Sequence, residues 1–588
     1  MIPVAKPRSR RLTVIAQDPS IRVDGRVLTT EVEIPAEEIA PGPRGYRVQV
    51  VDYDTSGGVL YQPMEYPQLQ NGQYGDPFKE DAQRPTNESL IADPRFHQQN
   101  VYAIVMKTLA RFEFALGRRI GWSFPGHQIN VAPHAFADAN AFYSKRDQAL
   151  VFGYFKGLSG QVVFSCLSHD VVAHETTHAI LDGLRNRYTD PSSPEQAGFH
   201  EGFADVVALL SVFSLTEVVA TLLQSGFDKE RNRSDLISPE ELTIEKLRDS
   251  VLLGLAKQMG QEMEGVRGNR AHALRRSVKL RPLTDKDDPK TYAKLEEFQE
   301  PHRRGEILVA AMLNAFLQVW RTRITQLERG RPGAGLDLQM VVEQGTDSAN
   351  QLLTMAIRAL DYAPPTDLQF RDYLSALITA DKELVPDDSK YEYRKTLLKS
   401  FRDYGIKPAS FNSADGSWEA CNAQLTYDRS HFESLLRDPD EVFRFIWENR
   451  QALKLEEHAY TKVTSVRPCL RIAPDGFALR ETVAEYIQMV TLQAQELQVF
   501  DPPIGKPEGM SPDEEVTLYG GGALIFDEYG RLKYQVFNRI NNASLQTPRL
   551  KYLWKYGYFA DKDDEQSVFA RLHLNRALNL TTDASERF

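Results

Sequence analysis

The stretch DVVAHETTHAILDG, residues 170–183, decides how the chain is read. An apolar stripe of helical period runs through it. Ser168 stands where a helix N-cap belongs, and Gly183 where a helix stops. On such a helix His174 and His178, at i and i+4, share a face, so both imidazoles can reach one metal ion. Zinc accepts imidazole nitrogen, and a catalytic zinc usually keeps three protein ligands and one open position. Glu175 lies beside the first histidine, where a carboxylate can take a proton from the activated water.

A second acidic helix reads out over residues 195–214, beyond a loop rich in Pro and Ser. It contains His200-Glu201-Gly202-Phe203-Ala204-Asp205. Glu201 and Asp205 are again i and i+4. Glu201 is the third candidate ligand. Asp205 can accept a hydrogen bond from the outer ring nitrogen of a ligand histidine and fix its tautomer. His200 is a rival ligand, although an ideal helix turns it roughly 100° from Glu201. Two histidines and two carboxylates in so apolar a setting are costly unless paired or coordinated. The competing structural reading is a pair of core helices carrying salt-bridged polar spots.

These residues resemble the thermolysin-like family of gluzincin metallopeptidases. DVVAHETTHA is similar to that family's active-site helix, and Glu201-Gly-Phe-Ala-Asp205 to its Glu-x-x-x-Asp helix. The resemblance implies zinc held by His174, His178 and Glu201, with Glu175 as general base of an endopeptidase. Asn140-Ala141-Phe142-Tyr143 is similar to the family's substrate-binding edge strand, which implies substrate contacts from the Asn140 side chain and the Ala141 carbonyl. An edge strand suits this role because an extended peptide adds to it as one more strand. The segment PHRRGEIL, residues 301–308, looks like the later histidine helix, with His302 stabilising the oxyanion and Glu297 orienting it. Tyr188 resembles the tyrosine that shares this task. Arg275, with Arg276 as rival, is the nearest match to the arginine of the primed-side pocket. Asp170 matches a calcium ligand, but the acidic cluster that accompanies it is missing after Glu201, which weakens the calcium expectation. His200 stands where an asparagine is common.

The resemblance covers residues 93–406 and implies an α+β, two-lobed catalytic core. A mixed sheet lobe carries the zinc helix over 91–190, and a mostly helical lobe spans 191–406. Outside it, alternating strands and turn signals predict an antiparallel β domain over 1–63. Residues 64–90 read as a linker. An α+β accessory region follows over 407–588, with a helix over 479–497 and a hairpin turning at 528–530. A length of 588 residues is too great for one core and suggests roughly three or four domains.

A net charge of −11 argues against general nucleic-acid binding, which basic surface dominates. A short basic run at residues 6–11 reads as a solvated tail. Cys166, Cys421 and Cys469 are scattered and odd in number, so neither a disulfide framework nor a cysteine zinc site is expected. The absence of a signal-like apolar start and of a spanning segment leads to an expectation of a cytoplasmic protein with no membrane partner. The expected partner is a peptide or protein substrate, with the last 180 or so residues as a candidate recruiting surface. Two rivals stand beside the peptidase: a non-catalytic zinc-containing scaffold, and a zinc hydrolase of a non-peptide substrate. An aminopeptidase would need an acidic grip near residues 140–143, and none is present.

Overall fold

The computed structural model describes residues 8–559 except 24, 68–74, 80–86, 158–159, 191, 227–235, 250–276, 284–291, 331–334 and 410–414. The protein is α+β. Its central sheet combines β3 (Val48–Val50), β4 (Ile129–Phe136), β5 (Ala141–Ser144), β6 (Ala149–Lys156) and β7 (Val162–Phe164). β3, β4 and β6 run parallel in that order, and β5 and β7 pair antiparallel with β6. The chain leaves β4, crosses to β5 and returns through β6, so β5 lies at an edge.

The first 63 residues form two-stranded ribbons and also lend a strand to the central sheet. β1 (Ser9–Ile15) and β2 (Thr29–Pro35) pair antiparallel as expected, but Val48–Val50 joins β4 in the central sheet. The reason is burial: Leu12, Val14, Val32, Ile34 and Val48 all enter the main core, which a two-stranded ribbon cannot close alone. The linker segment is likewise tied down where it is described, since the Met64 amide donates to Gln98 Oε1 at 2.8 Å.

Behind the sheet runs α1 (Pro94–Leu116). Asp93 caps it by accepting from the Arg95 amide at 3.0 Å, Pro94 opens it, and Gly117 ends it in the left-handed conformation at φ 67°. α2 (His169–Leu184) carries the two histidines of the first motif. Ser168 does not cap it through its side chain; its hydroxyl donates to Asp18 instead. α3 (Pro194–Phe213) is capped by Ser193, which accepts from the Gln196 amide at 3.1 Å, and begins on a proline. α4 (Pro301–Gly330) crosses α3 where Gly202 meets Gly305. A Cβ on Gly202 would stand 2.7 Å from the Gly305 carbonyl oxygen, so only glycines allow this approach. Further helices span Thr216–Gly226, Leu338–Arg358, Phe370–Leu384 and Tyr393–Asp403.

The C-terminal region is an antiparallel sheet of β8 (Tyr460–Ile472), β9 (Ala478–Gln493), β10 (Glu515–Asp527) and β11 (Leu532–Asn538), paired in that order. The hairpin turns where expected, with Gly530 at φ 74°. The helix expected over 479–497 is strand β9. Its neighbours on both sides occupy its backbone groups, and the sheet is covered on both faces. Along β10, Ala523 and Ile525 enter the main core while Leu524 and Phe526 pack against Phe445 and Ile446. Burial on both faces erases the alternation that marks a strand in sequence. Among the described residues, no single helix is long and apolar enough to cross a membrane.

This sheet docks through buried charge. Arg118 makes a two-pronged pair with Asp361 at 2.5 and 2.7 Å. Arg471 bridges Asp361 and Glu481, the latter at 2.5 Å. Glu481 also receives Tyr362 and Lys533. Arg185, directly after α2, reaches Glu485 of β9 and the Leu360 carbonyl.

Candidate metal centre

α2 and α3 bring His174, His178 and Glu201 together in a buried cluster whose ligand atoms all lie within 4.8 Å of one another. The two Nε2 atoms face each other at 2.8 Å. Glu201 stands 3.8 Å from His174 Nε2 and 3.9 Å from His178 Nε2. Donors about 2.0–2.1 Å from a tetrahedral zinc are about 3.3 Å apart, and these spacings bracket that value.

The outer contacts say which ring atoms are available. His174 Nδ1 lies 2.8 Å from Asp205 Oδ1. A carboxylate only accepts, so the proton is on Nδ1 and the Nε2 lone pair points inward. His178 Nδ1 meets His200 Nδ1 at 2.8 Å, with the rings stacked 12° from parallel. His200 therefore orients His178 through its outer nitrogen rather than standing among the inner donors. Two imidazole lone pairs and a carboxylate converging in a buried space suit a borderline-soft divalent cation such as zinc.

Glu175 is fully buried, and its Oε2 accepts from the Tyr143 amide at 2.9 Å. That amide therefore points away from β6, toward the open edge of β5. The general-base candidate thus lies where the edge strand and the histidine pair meet. Tyr143 is held in turn by Asp182 of α2 at 2.9 Å and by Ser123 at 2.8 Å. Asn140 is half-buried at the head of β5, and its side-chain oxygen accepts from the Ala141 amide at 2.9 Å.

From α4, His302 reaches the cluster with Nε2 3.7 Å from Glu201 Oε2. Its orienting acid is Glu300, which accepts from Nδ1, and not Glu297, which pairs with Arg303 at 3.1 Å. A turn over Glu296–Gln299 separates Glu297 from the histidine, whereas Glu300 stands immediately before α4. Burial opposes ionisation of Glu300, but its bond to His302 holds the carboxyl down at about 2.

Tyr188, the expected second oxyanion group, is buried with its hydroxyl engaged elsewhere. Its hydroxyl donates to the Pro364 carbonyl at 2.7 Å, and burial pushes its phenol up to about 12. Arg275 and Arg276 lie outside the described residues. Asp170 is buried near Asp18, and burial followed by the Asp18 charge lifts its carboxyl to about 7. Asp18 has no motif around it in sequence; only the fold carries it to the start of α2.

No family profile and no curated protein matches the sequence. Among solved structures, the chain is similar to the precursor of protealysin, a metalloproteinase from Serratia proteamaculans, with 14% identity and a TM-score of 0.33. That likeness covers 63% of this chain and 90% of the other. At this distance the weight of the functional reading rests on the geometry of the cluster.

Proposed function

We propose that this chain is a zinc-dependent endopeptidase of the thermolysin-like type. One observation carries the reading. His174, His178 and Glu201 converge with their inner donor atoms set by Asp205 and His200, and Glu175 lies beside them at the rim of an edge strand.

His174, His178 and Glu201 would hold the metal, which when bound supplies a Lewis acid that polarises the scissile carbonyl and acidifies water. The open edge of β5 reads an extended peptide through backbone hydrogen bonds, with Asn140 and Ala141 at its head. Glu175 takes the proton of the attacking water and passes it to the leaving amine. His302, its ring fixed by Glu300, donates to the oxyanion. Arg275 remains the proposed contact to the substrate carbonyl in the primed-side pocket.

The test uses the full chain and a peptide library. Cleavage is expected to stop with a chelator and to return with zinc. Glu175→Gln is expected to lower turnover by about 10²–10⁴-fold while retaining the metal. Unchanged turnover in that variant overturns the assignment.

A further inference from the structure

A second histidine pair lies outside the centre just described. His97 projects from α1, His134 from β4, and Cys166 from the short turn Ser165–Leu167 that feeds α2. All three are buried, at 1%, 1% and 0% exposure. Their ligand atoms lie within 4.8 Å of one another.

The hydrogen bonds around the two rings fix their protons. His97 Nε2 lies 2.7 Å from the Ile91 carbonyl, and His134 Nδ1 lies 2.9 and 3.0 Å from the two oxygens of Asp52. Asp52 is itself held by Gln98 at 2.9 Å. A carbonyl and a carboxylate accept only, so the N–H of each neutral ring is already placed. The remaining nitrogens, His97 Nδ1 and His134 Nε2, face each other at 2.7 Å. Two lone pairs at that distance repel unless a cation stands between them. A shared proton bridges two atoms; here a third donor, the Cys166 sulfur, completes the set.

We propose that His97, His134 and Cys166 form a second, structural metal site for a soft d¹⁰ transition-metal ion, zinc(II) or copper(I). Imidazole and thiolate together select this class of ion. Ile91 and Asp52 hold the ligand rings by their outer nitrogens, the arrangement typical of metal-bound histidines. Phe164 packs against both rings, at 4.7 and 5.3 Å between centroids, and half-buried Tyr61 covers His134 at 4.7 Å. The walls are therefore apolar and the ligands dry. To admit zinc, the facing nitrogens must part by about 0.6 Å, to about 3.3 Å. The thiol proton leaves to solvent as the metal–sulfur bond forms.

The site ties three elements together. α1, the central strand β4 and the approach to α2 meet at one point, just ahead of the helix that carries His174 and His178. The Asn100 side-chain amide donates to the Cys166 carbonyl at the same junction, at 2.8 Å.

The experiment loads the full chain with cobalt(II). A sulfur-to-cobalt charge-transfer band in the near ultraviolet is expected from the wild type, because the imidazole–carboxylate centre contains no sulfur. The band is expected to vanish in Cys166→Ser, to weaken in His97→Gln, and to persist in Cys421→Ser. Metal analysis is expected to give about two equivalents per wild-type chain and about one in Cys166→Ser. His178→Ala is expected to keep the band, which separates this site from the proposed peptidase centre. Parallel titrations with zinc(II) and with copper(I) under reducing conditions decide between the two ions. A wild type without the band, leaving a shared proton between the rings, overturns the proposal. So does a band that survives Cys166→Ser. The wild-type spectrum decides even if a variant fails to fold.

Discussion

Two buried polar regions, one at the middle of α2 and one just past its C-terminal end, are built on opposite rules. At the charge lock, Arg118, Asp361, Arg471 and Glu481 alternate in sign, and each charge meets a counter-charge of the protein. At the candidate metal centre, His174, His178 and Glu201 turn groups able to donate electron pairs toward one another. In the first region opposite charges neutralise each other within the protein; in the second the groups that face one another are alike in kind, the arrangement that a cation would complete.

This contrast can be broken experimentally. The largest effect is expected at the metal centre: His178→Ala should remove both the metal and the proteolysis, read by metal analysis and peptide cleavage. Metal retained at full stoichiometry in that centre would erase the distinction. At the lock, Arg471→Met should cost about 3 kcal/mol in denaturant unfolding, because Asp361 and Glu481 each lose one of their buried partners and keep Arg118 and Lys533 respectively. Turnover per folded molecule should stay unchanged there; a parallel loss of activity would show that the two regions are one. Asp205→Ala should weaken metal binding by about 10–100-fold, since it only orients His174. A metal titration against His178→Ala places it on this scale.

The smallest effects sharpen the contrast through pH. Burial works against ionised Asp361, but Arg118 and Arg471 hold its carboxyl well below the usual range. Its contribution is present above the unfolded value near 4 and is lost as pH falls further. Asp170, near the other end of the helix, is lifted to about 7 by burial and by Asp18. Its contribution is full below about 4 and is lost as pH rises through about 7. Arg118→Met should therefore flatten the acid limb of the stability curve. Asp170→Asn should flatten the stretch between about pH 4 and 7 and leave the acid limb in place. Thermal unfolding across pH reads both, and equal slopes in variant and wild type would refute the assignments.

Much of the candidate metal centre was legible because its residues are neighbours on helices. His174 with His178, and Glu201 with Asp205, are fixed by the helical repeat alone. Contacts that depend on how elements meet were not legible. Glu300 rather than Glu297 holds His302 because a short turn, invisible to spacing, stands between them. Tyr188 was chosen by resemblance, and the bond of its hydroxyl to the Pro364 carbonyl could not be foreseen from the sequence. Strand β9 was read as a helix because its residues are covered on both faces, and the first residues were read as a domain because their partner strand lies far along the chain. The three cysteines looked inert for the same reason: Cys166 acquires its histidines only when α1 and β4 fold against it.

The crossing of α3 over α4 has a further consequence. Glu201 and His302 approach from different helices, and the approach of those helix backbones is set by Gly202 resting on Gly305. The gap between the two helix axes is thus a main-chain thickness. A single methyl at either glycine would act as a shim, pushing α3 and α4 apart.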